Sequence, residues 1–200
     1  MDIIGAGISG LATAHVLAQK GIRVRIFDQH DQPCKEASGN PHALIYANLS
    51  PFDQIQPRFY LSSLFTGLHA LSSFSQDVFH SCGIVCSNKH HHHWKAILRD
   101  TEKCIQQREE GLWLPNAGTV HPKSLAQAIL NHPRITWFPN HEVTDIESQR
   151  DSLSFFANGV QWNSEHLIIC TAHHLSKLQS NWDNNNLFDE DGNSTETEAE

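Results

Sequence analysis

Two hundred residues with 39% hydrophobic content can bury one sizeable core, and one domain is the expectation, since two complete domains would be cramped. The formal net charge is −8, but seven of the 22 acids fall in Asp183–Glu200, which holds no Lys or Arg, so residues 1–182 carry only −1. That near-neutral body supplies no electrostatic footprint for nucleic acid, no apolar run reaches the length of a membrane span, and five cysteines without zinc-type spacing read as free thiols of a cytoplasmic protein.

In chain order, Asp2–Ile4 reads as the end of a buried strand, Gly5–Gly10 as a tight turn, and Leu11–Lys20 as a helix with Leu11, Ala14 and Leu17 or Ala18 on one face. The acid at Asp2, the turn glycines and the lack of preceding basic residues argue against a secretory leader. Gly21 stops the helix, and "IRVRIF" alternates as a second strand ending on Asp28. From Pro33 to Pro57 turn formers dominate and predict an extended loop, densest at "ASGNP". "RFYLSSLFTGLHALSSF" predicts a helix whose stripe of Phe59 or Tyr60, Leu64, Leu68 and Leu71 packs into the core.

"GIVCS" predicts a short strand, and "NKHHHHWKAILRDTEKCIQQREE" a polar, helical excursion. Consecutive histidines point around a helix or alternate across a strand, so His90, His91, His92 and His93 read as a solvated tract and no metal is expected. "GLWLPNAGTVHPKSLAQAIL" gives a strand, a turn at Asn116–Gly118 and a helix from Pro122 or Ser124. "ITWF", "EVTDIE", "LSFFA" and "VQW" are four short strands, and "HLIICTA" has the continuous apolar character of a strand inside a parallel sheet. After Leu178 the composition is that of a disordered acidic tail, so the expected division is 1–178 and 179–200.

The opening thirty residues form a strand–turn–helix–strand unit with GxGxxG at the turn. Gly5 permits the sharp turn, Gly7 lets backbone approach a pyrophosphate, and Gly10 permits close helix–strand packing, while the helix amino end favours phosphate. Asp28, eighteen residues past Gly10, is placed to accept hydrogen bonds from an adenosine ribose and to repel a phosphate there. This argues for NAD or FAD over NADP and leaves those two open.

The stretches "EASGNPHALIYANLS" and "GLWLPNAGTVHPKSLAQAIL" resemble the D-amino-acid-oxidase-like FAD family, in which an Ala-Ser-x-x-Asn loop follows the second strand. More narrowly, Ala37, Ser38, Gly39, Asn40, Tyr46, Leu49 and Ser50, with "CGIV" and "HLIICTAHHLSKL", resemble the FAD-dependent C-terminal domain of bifunctional tRNA 5-methylaminomethyl-2-thiouridine biosynthesis proteins. The resemblance implies an α/β, Rossmann-like FAD-binding fold with an inserted mixed sheet of a substrate subdomain, incomplete at its C-terminus. It implies FAD as cofactor and tRNA as substrate: oxidation at the amine carbon of carboxymethylaminomethyl-uridine at the wobble position removes the carboxymethyl group. By position, Gly5, Gly7 and Gly10 would hold the pyrophosphate, Asp28 the ribose, Ala37, Ser38 and Asn40 the phosphate or flavin side, and the Val143 backbone the adenine. For Ser38 and Asn40, ordinary turn chemistry is nearly as good an account.

No acid or base is assigned; His121, His173 and His174 are available, and a lone His near a strand end is more often structural. The family pattern has glycine where Ala43 and Ala172 stand, the methyltransferase half is absent, and the family continues for about as many residues again, so FAD is expected to bind weakly and without turnover. The alternatives are a glycine- or sarcosine-type amine oxidase, a nucleotide-binding remnant and, more weakly, an NAD-dependent dehydrogenase, which leaves the Ala-Ser-x-x-Asn loop unexplained.

Overall fold

The computed structural model describes residues 1–46, 55–86, 104–149 and 152–181. The chain divides into two compact units, Met1–Glu36 with Ile129–Glu200, and Ala37–Ala128.

The first unit opens with β1 (Asp2–Ile4), buried throughout as a parallel strand covered on both faces must be. Helix α1 (Ile8–Gln19) buries Gly10, Leu11, Ala14 and Ala18, starting three residues earlier than its apolar pattern suggests. It ends in a Schellman motif, with Ile22 N–H donating to Leu17 O and Gly21 N–H to Ala18 O. Strand β2 (Val24–Phe27) then pairs with β1 in parallel.

The second unit contributes β3 (Ala43–Ile45), α2 (Ile55–Leu71), β4 (Phe79–His80), β5 (Ile84–Cys86), β6 (Gln106–Arg108), β7 (Gly111–Leu114), β8 (Gly118–Val120) and α3 (Pro122–Leu130), at whose end the chain returns to the first unit. Its sheets run β3-β8-β4 and β5-β7-β6, and every pairing in them is antiparallel. Among the described residues, the inserted part is thus built on two antiparallel sheets. The core gathers Leu64, Ile105, Leu112, Leu114 and Ala117, with Leu61, Phe65 and Leu68 against it. Phe59 and Tyr60, the alternatives for the first core position, are 66% and 37% exposed, so the buried stripe of α2 starts later than predicted. Residues 106–108, assigned to a helical excursion, form β6 instead, because β7 supplies the pairing that their own polar sequence does not announce.

Back in the first unit, β9 (Ile135–Phe138), β10 (Val143–Gln149), β11 (Ser152–Ala157), β12 (Val160–Ser164) and β13 (Leu167–Ile169) fall where their apolar runs place them. The parallel sheet has the order β13-β1-β2-β9. A second sheet, β12-β11-β10-β14, is mixed. Its last strand, β14 (Gln179–Asn181), lies in the stretch assigned to the tail by composition; parallel pairing with β10 gives it strand conformation despite that polarity. Residues 182–200 and His90–His93 lie outside the described residues. Phe27 joins the two sheets, stacked on Phe138 at 4.7 Å and edge-on to Phe155 and Trp162 at 5.0 Å each.

Asp2, 1% exposed, is held by Arg25 through Nε–Oδ1 at 2.6 Å and Nη2–Oδ2 at 2.7 Å, and the guanidinium lies over the rings of Trp162 and Phe27. Arg25→Met leaves a buried carboxylate without its partner. Such a loss costs about 3–5 kcal/mol in a fully buried pair; Arg25 is 36% exposed, so about 2 kcal/mol and a Tm lower by about 6 °C are expected. An unchanged melting temperature would show that the pair contributes nothing.

Candidate nucleotide-binding site

The carboxyl ends of parallel strands are where open α/β sheets take ligands. At that end Gly5 adopts φ +101°, and its N–H donates to Phe27 O at 2.8 Å. A Cβ on Gly5 would lie 2.5 Å from Cys170 O, and one on Gly10 only 2.0 Å from Gly5 O. The turn is therefore packed on β13 from one side and on α1 from the other, and both closures require glycine. Gly7 caps α1 in extended conformation without a side-chain hydrogen bond, and the first turn carries no acid. The helix dipole and the amino-end N–H groups of α1 thus meet no acid from the helix's own first turn.

Asp28 follows β2 and fixes the turn from a third direction. Its Oδ2 accepts the Ala6 N–H at 2.7 Å, and Oδ1 accepts both the His30 backbone N–H and His30 Nδ1, each at 2.9 Å. The Asp28 backbone is pinned between Phe138 O and the His141 N–H. Those contacts bring the β9–β10 connection to the same place, and with it Val143, whose side chain is buried against Ile4 and Phe27 in one cluster. A register irregularity falls between Val143 and Asp145.

Gly5, Gly7, Gly10, Asp28 and Val143 thus converge within the first unit, while Ala37, Ser38 and Asn40 belong to the second. Ala37 and Ser38 form a turn, and Asn40 is exposed. His121 is structural: its Nδ1 accepts the Ser124 N–H at 3.3 Å and lies 2.9 Å from Ser124 Oγ at the start of α3. His174 points to Glu36, with Nε2 at 2.8 and 2.9 Å from the two carboxylate oxygens. The His173 side chain lies outside the described residues.

Burial, with Asp28 adding to it, pushes the Cys34 thiol up, and burial alone does so for Cys86 and Cys170, so these thiols stay protonated at neutral pH. The five cysteines form no disulfide. Among the described residues no cluster of three or more His, Cys, Asp or Glu could hold a metal, and no helix is long and apolar enough to cross a membrane. A cleft of about 480 Å³ beside Arg23, Arg25 and Arg134 contains none of the nucleotide-site residues.

Of the two alanines standing for family glycines, Ala43 is an ordinary strand residue of β3, whereas Ala172 adopts φ +49° in the 3₁₀ turn Ala172–Lys177. The left-handed conformation strains a residue with a Cβ. Ala172→Gly is expected to stabilise the protein by about 1 kcal/mol and raise Tm by about 3 °C in differential scanning fluorimetry. A lower Tm would mean that the turn tolerates alanine without strain.

The residues present fit the adenosine diphosphate half of a dinucleotide: a helix amino end whose N-cap Gly7 contributes no side-chain hydrogen bond, a glycine turn closed against backbone, and a carboxylate with a lone pair left on Oδ2. The sequence reading missed His30, Glu36 and Cys34. An acid accepting the N–H two residues on is a recognisable turn pattern, so Asp28–His30 was available locally; Glu36–His174 spans 138 residues and had no local signal.

The family described as FAD dependent oxidoreductase matches residues 3–189. The tRNA 5-methylaminomethyl-2-thiouridine biosynthesis bifunctional protein MnmC of Ectopseudomonas mendocina (strain ymp) is 28% identical over 196 residues, covering 88% of this chain and 30% of the relative. Its counterpart in Pseudomonas entomophila (strain L48) is 30% identical over 164 residues, covering 72% of this chain and 25% of the relative. The chain therefore spans under a third of the curated relatives it matches. Among solved structures, glycine oxidase from Bacillus cereus ATCC 14579 superposes with a TM-score of 0.60 at 19% identity, covering 84% of this chain and 54% of that one.

Proposed function

Because the chain belongs to the family of FAD dependent oxidoreductases, we propose that it forms the adenosine-diphosphate-binding part of a cytoplasmic amine-oxidising flavoenzyme acting on the carboxymethylaminomethyl group of wobble uridine in tRNA. The observation that carries this reading is the convergence of Gly5, Gly10 and Asp28 on one turn at the carboxyl end of the parallel sheet. The tRNA substrate is supported by the relatives' name, together with their match along most of this chain. Gly5, Gly7 and Gly10 with the amino end of α1 hold the pyrophosphate, Asp28 the ribose and the Val143 backbone the adenine. FAD supplies the two-electron acceptor when bound; the chain's own residues bind and orient it.

The purified protein should carry a visible flavin spectrum, and FAD should be released on denaturation. Anaerobic addition of tRNA bearing carboxymethylaminomethyl-uridine to the FAD-loaded protein tests the substrate: bleaching of the flavin band at a rate set by tRNA concentration supports the tRNA reading and overturns the expectation of binding without turnover. Bleaching by glycine or sarcosine alone would move the substrate to small amines, and release of NAD without flavin would refute the cofactor. The second reading, nucleotide binding without turnover, draws on Ala172 at φ +49° where the resemblance leads one to expect glycine. Bound FAD that neither substrate bleaches is its signature.

A further inference from the structure

The Gly5–Ala6 turn is touched by three segments that are distant in sequence. The end of β2 reaches it through Asp28 Oδ2 and the Ala6 N–H at 2.7 Å. The segment after β2 reaches it through the Cys34 N–H, which donates to Ala6 O at 3.1 Å. The end of β13 reaches it through Cys170, whose N–H donates to Ile4 O at 2.7 Å and whose own carbonyl leaves no room for a Cβ on Gly5.

Side chains join the same three segments to one another. His30 Nδ1 lies 2.9 Å from Asp28 Oδ1, and His30 Nε2 lies 3.6 Å from Glu36 Oε1. Glu36 in turn takes His174 Nε2 at 2.8 and 2.9 Å on its two oxygens. The contacts close a ring around the glycine turn: Ala6, Asp28, His30, Glu36, His174, the end of β13, and back to Gly5. All of its members belong to one compact unit.

We propose that the Glu36–His174 pair is a clasp that pre-organises the pyrophosphate cradle, with His174 and Glu36 as positioning residues for the adenosine diphosphate half of the cofactor; this rests on the FAD reading above. Two physical effects make the clasp matter. Segments ordered before the cofactor arrives need not be ordered by it, which raises affinity without a new contact. His174 and His30 also direct hydrogen-bond donors at Glu36 and Asp28, the two acids of the ring, and so draw their negative charge away from a pyrophosphate dianion at the turn.

The test uses the full chain, with FAD titrated by flavin fluorescence and ADP by calorimetry. His174→Ala and Glu36→Ala should each weaken both ligands about tenfold. The double variant should be no weaker than either single one, because the two residues act as one unit. His174→Gln and Glu36→Gln, which keep a donor and an acceptor in place, should remain within about threefold of wild type. Melting temperatures of the ligand-free variants report whether folding has been lost, and the glutamine variants keep the comparison interpretable if an alanine variant fails to fold. Unchanged affinities in the alanine variants, or additive losses without rescue by glutamine, would overturn the clasp. A wild-type chain that binds neither FAD nor ADP would overturn the cofactor assignment and the clasp with it. Wild-type binding with unaltered variants overturns the clasp alone.

Discussion

Gly10→Ala is expected to destabilise the protein by about 3 kcal/mol and to lower Tm by about 9 °C. The new methyl would stand 2.0 Å from Gly5 O, 3.1 Å from Gly5 C and 3.3 Å from Ile3 Cγ2. Two of these three neighbours are backbone, and Gly5 is itself fixed by its hydrogen bond to Phe27 O and by Cys170 behind it. The only relief is for α1 to back away from β1, which opens the packing of Leu11 and Ala14, both 0% exposed. Gly67→Ala makes the contrast: it lies inside α2, a Cβ there meets nothing within 4 Å, and helix propensity alone should stabilise by about 0.5 kcal/mol. The same chemical change with opposite signs at two helical positions separates the packing argument from a generic effect of alanine. Equal melting temperatures for the two variants would sink it.

What could be read from the sequence follows from how the information is stored. The parallel strands announce themselves in two ways: β2 alternates, with Val24 and Ile26 0–1% exposed on either side of the partly exposed Arg25, while Ile3–Ile4 of β1 and Leu167–Ile169 of β13 are short apolar runs. The glycine turn was legible because close backbone approach leaves no alternative residue at Gly5 and Gly10. Strand β6 is Gln-Gln-Arg with every residue exposed, and β14 is Gln-Ser-Asn; their conformation comes from β7 and β10, so no period could announce them. The two-residue β4 and three-residue β8 are too short to carry a pattern, yet they complete a sheet with β3. Asp28 was found by its distance from Gly10, but its actual partners, Ala6 and His30, depend on which way the carboxylate turns. Glu36 and His174 meet only because β13 returns beside β1, a fact of topology that no local stretch contains.

Asp28→Ala should weaken FAD about 100-fold, the largest effect on cofactor binding expected of any single residue. Two losses combine. The carboxylate accepts from the Ala6 N–H on Oδ2 and from His30 on Oδ1, so alanine releases the glycine turn and the His30 end of the ring together. It also removes the acceptor that a ribose hydroxyl would use, and a hydrogen bond to a charged group contributes about 1.5–3 kcal/mol. Their sum corresponds to about two decades in affinity after partial compensation by water. Asp28→Asn should fall between, near tenfold, because one amide oxygen can serve Ala6 or His30 but not both, and the amide nitrogen turns a donor toward other donors. The wild-type chain should discriminate against NADPH, whose ribose phosphate would meet the Asp28 carboxylate. Flavin fluorescence titration gives the affinities, and FAD-dependent elevation of Tm gives an independent measure, since a ligand that binds only the folded state stabilises it in proportion to log affinity. Should Asp28→Ala bind FAD as wild type does while Gly10→Ala loses it, the ribose contact would be excluded and Asp28 would be left as a brace for the turn.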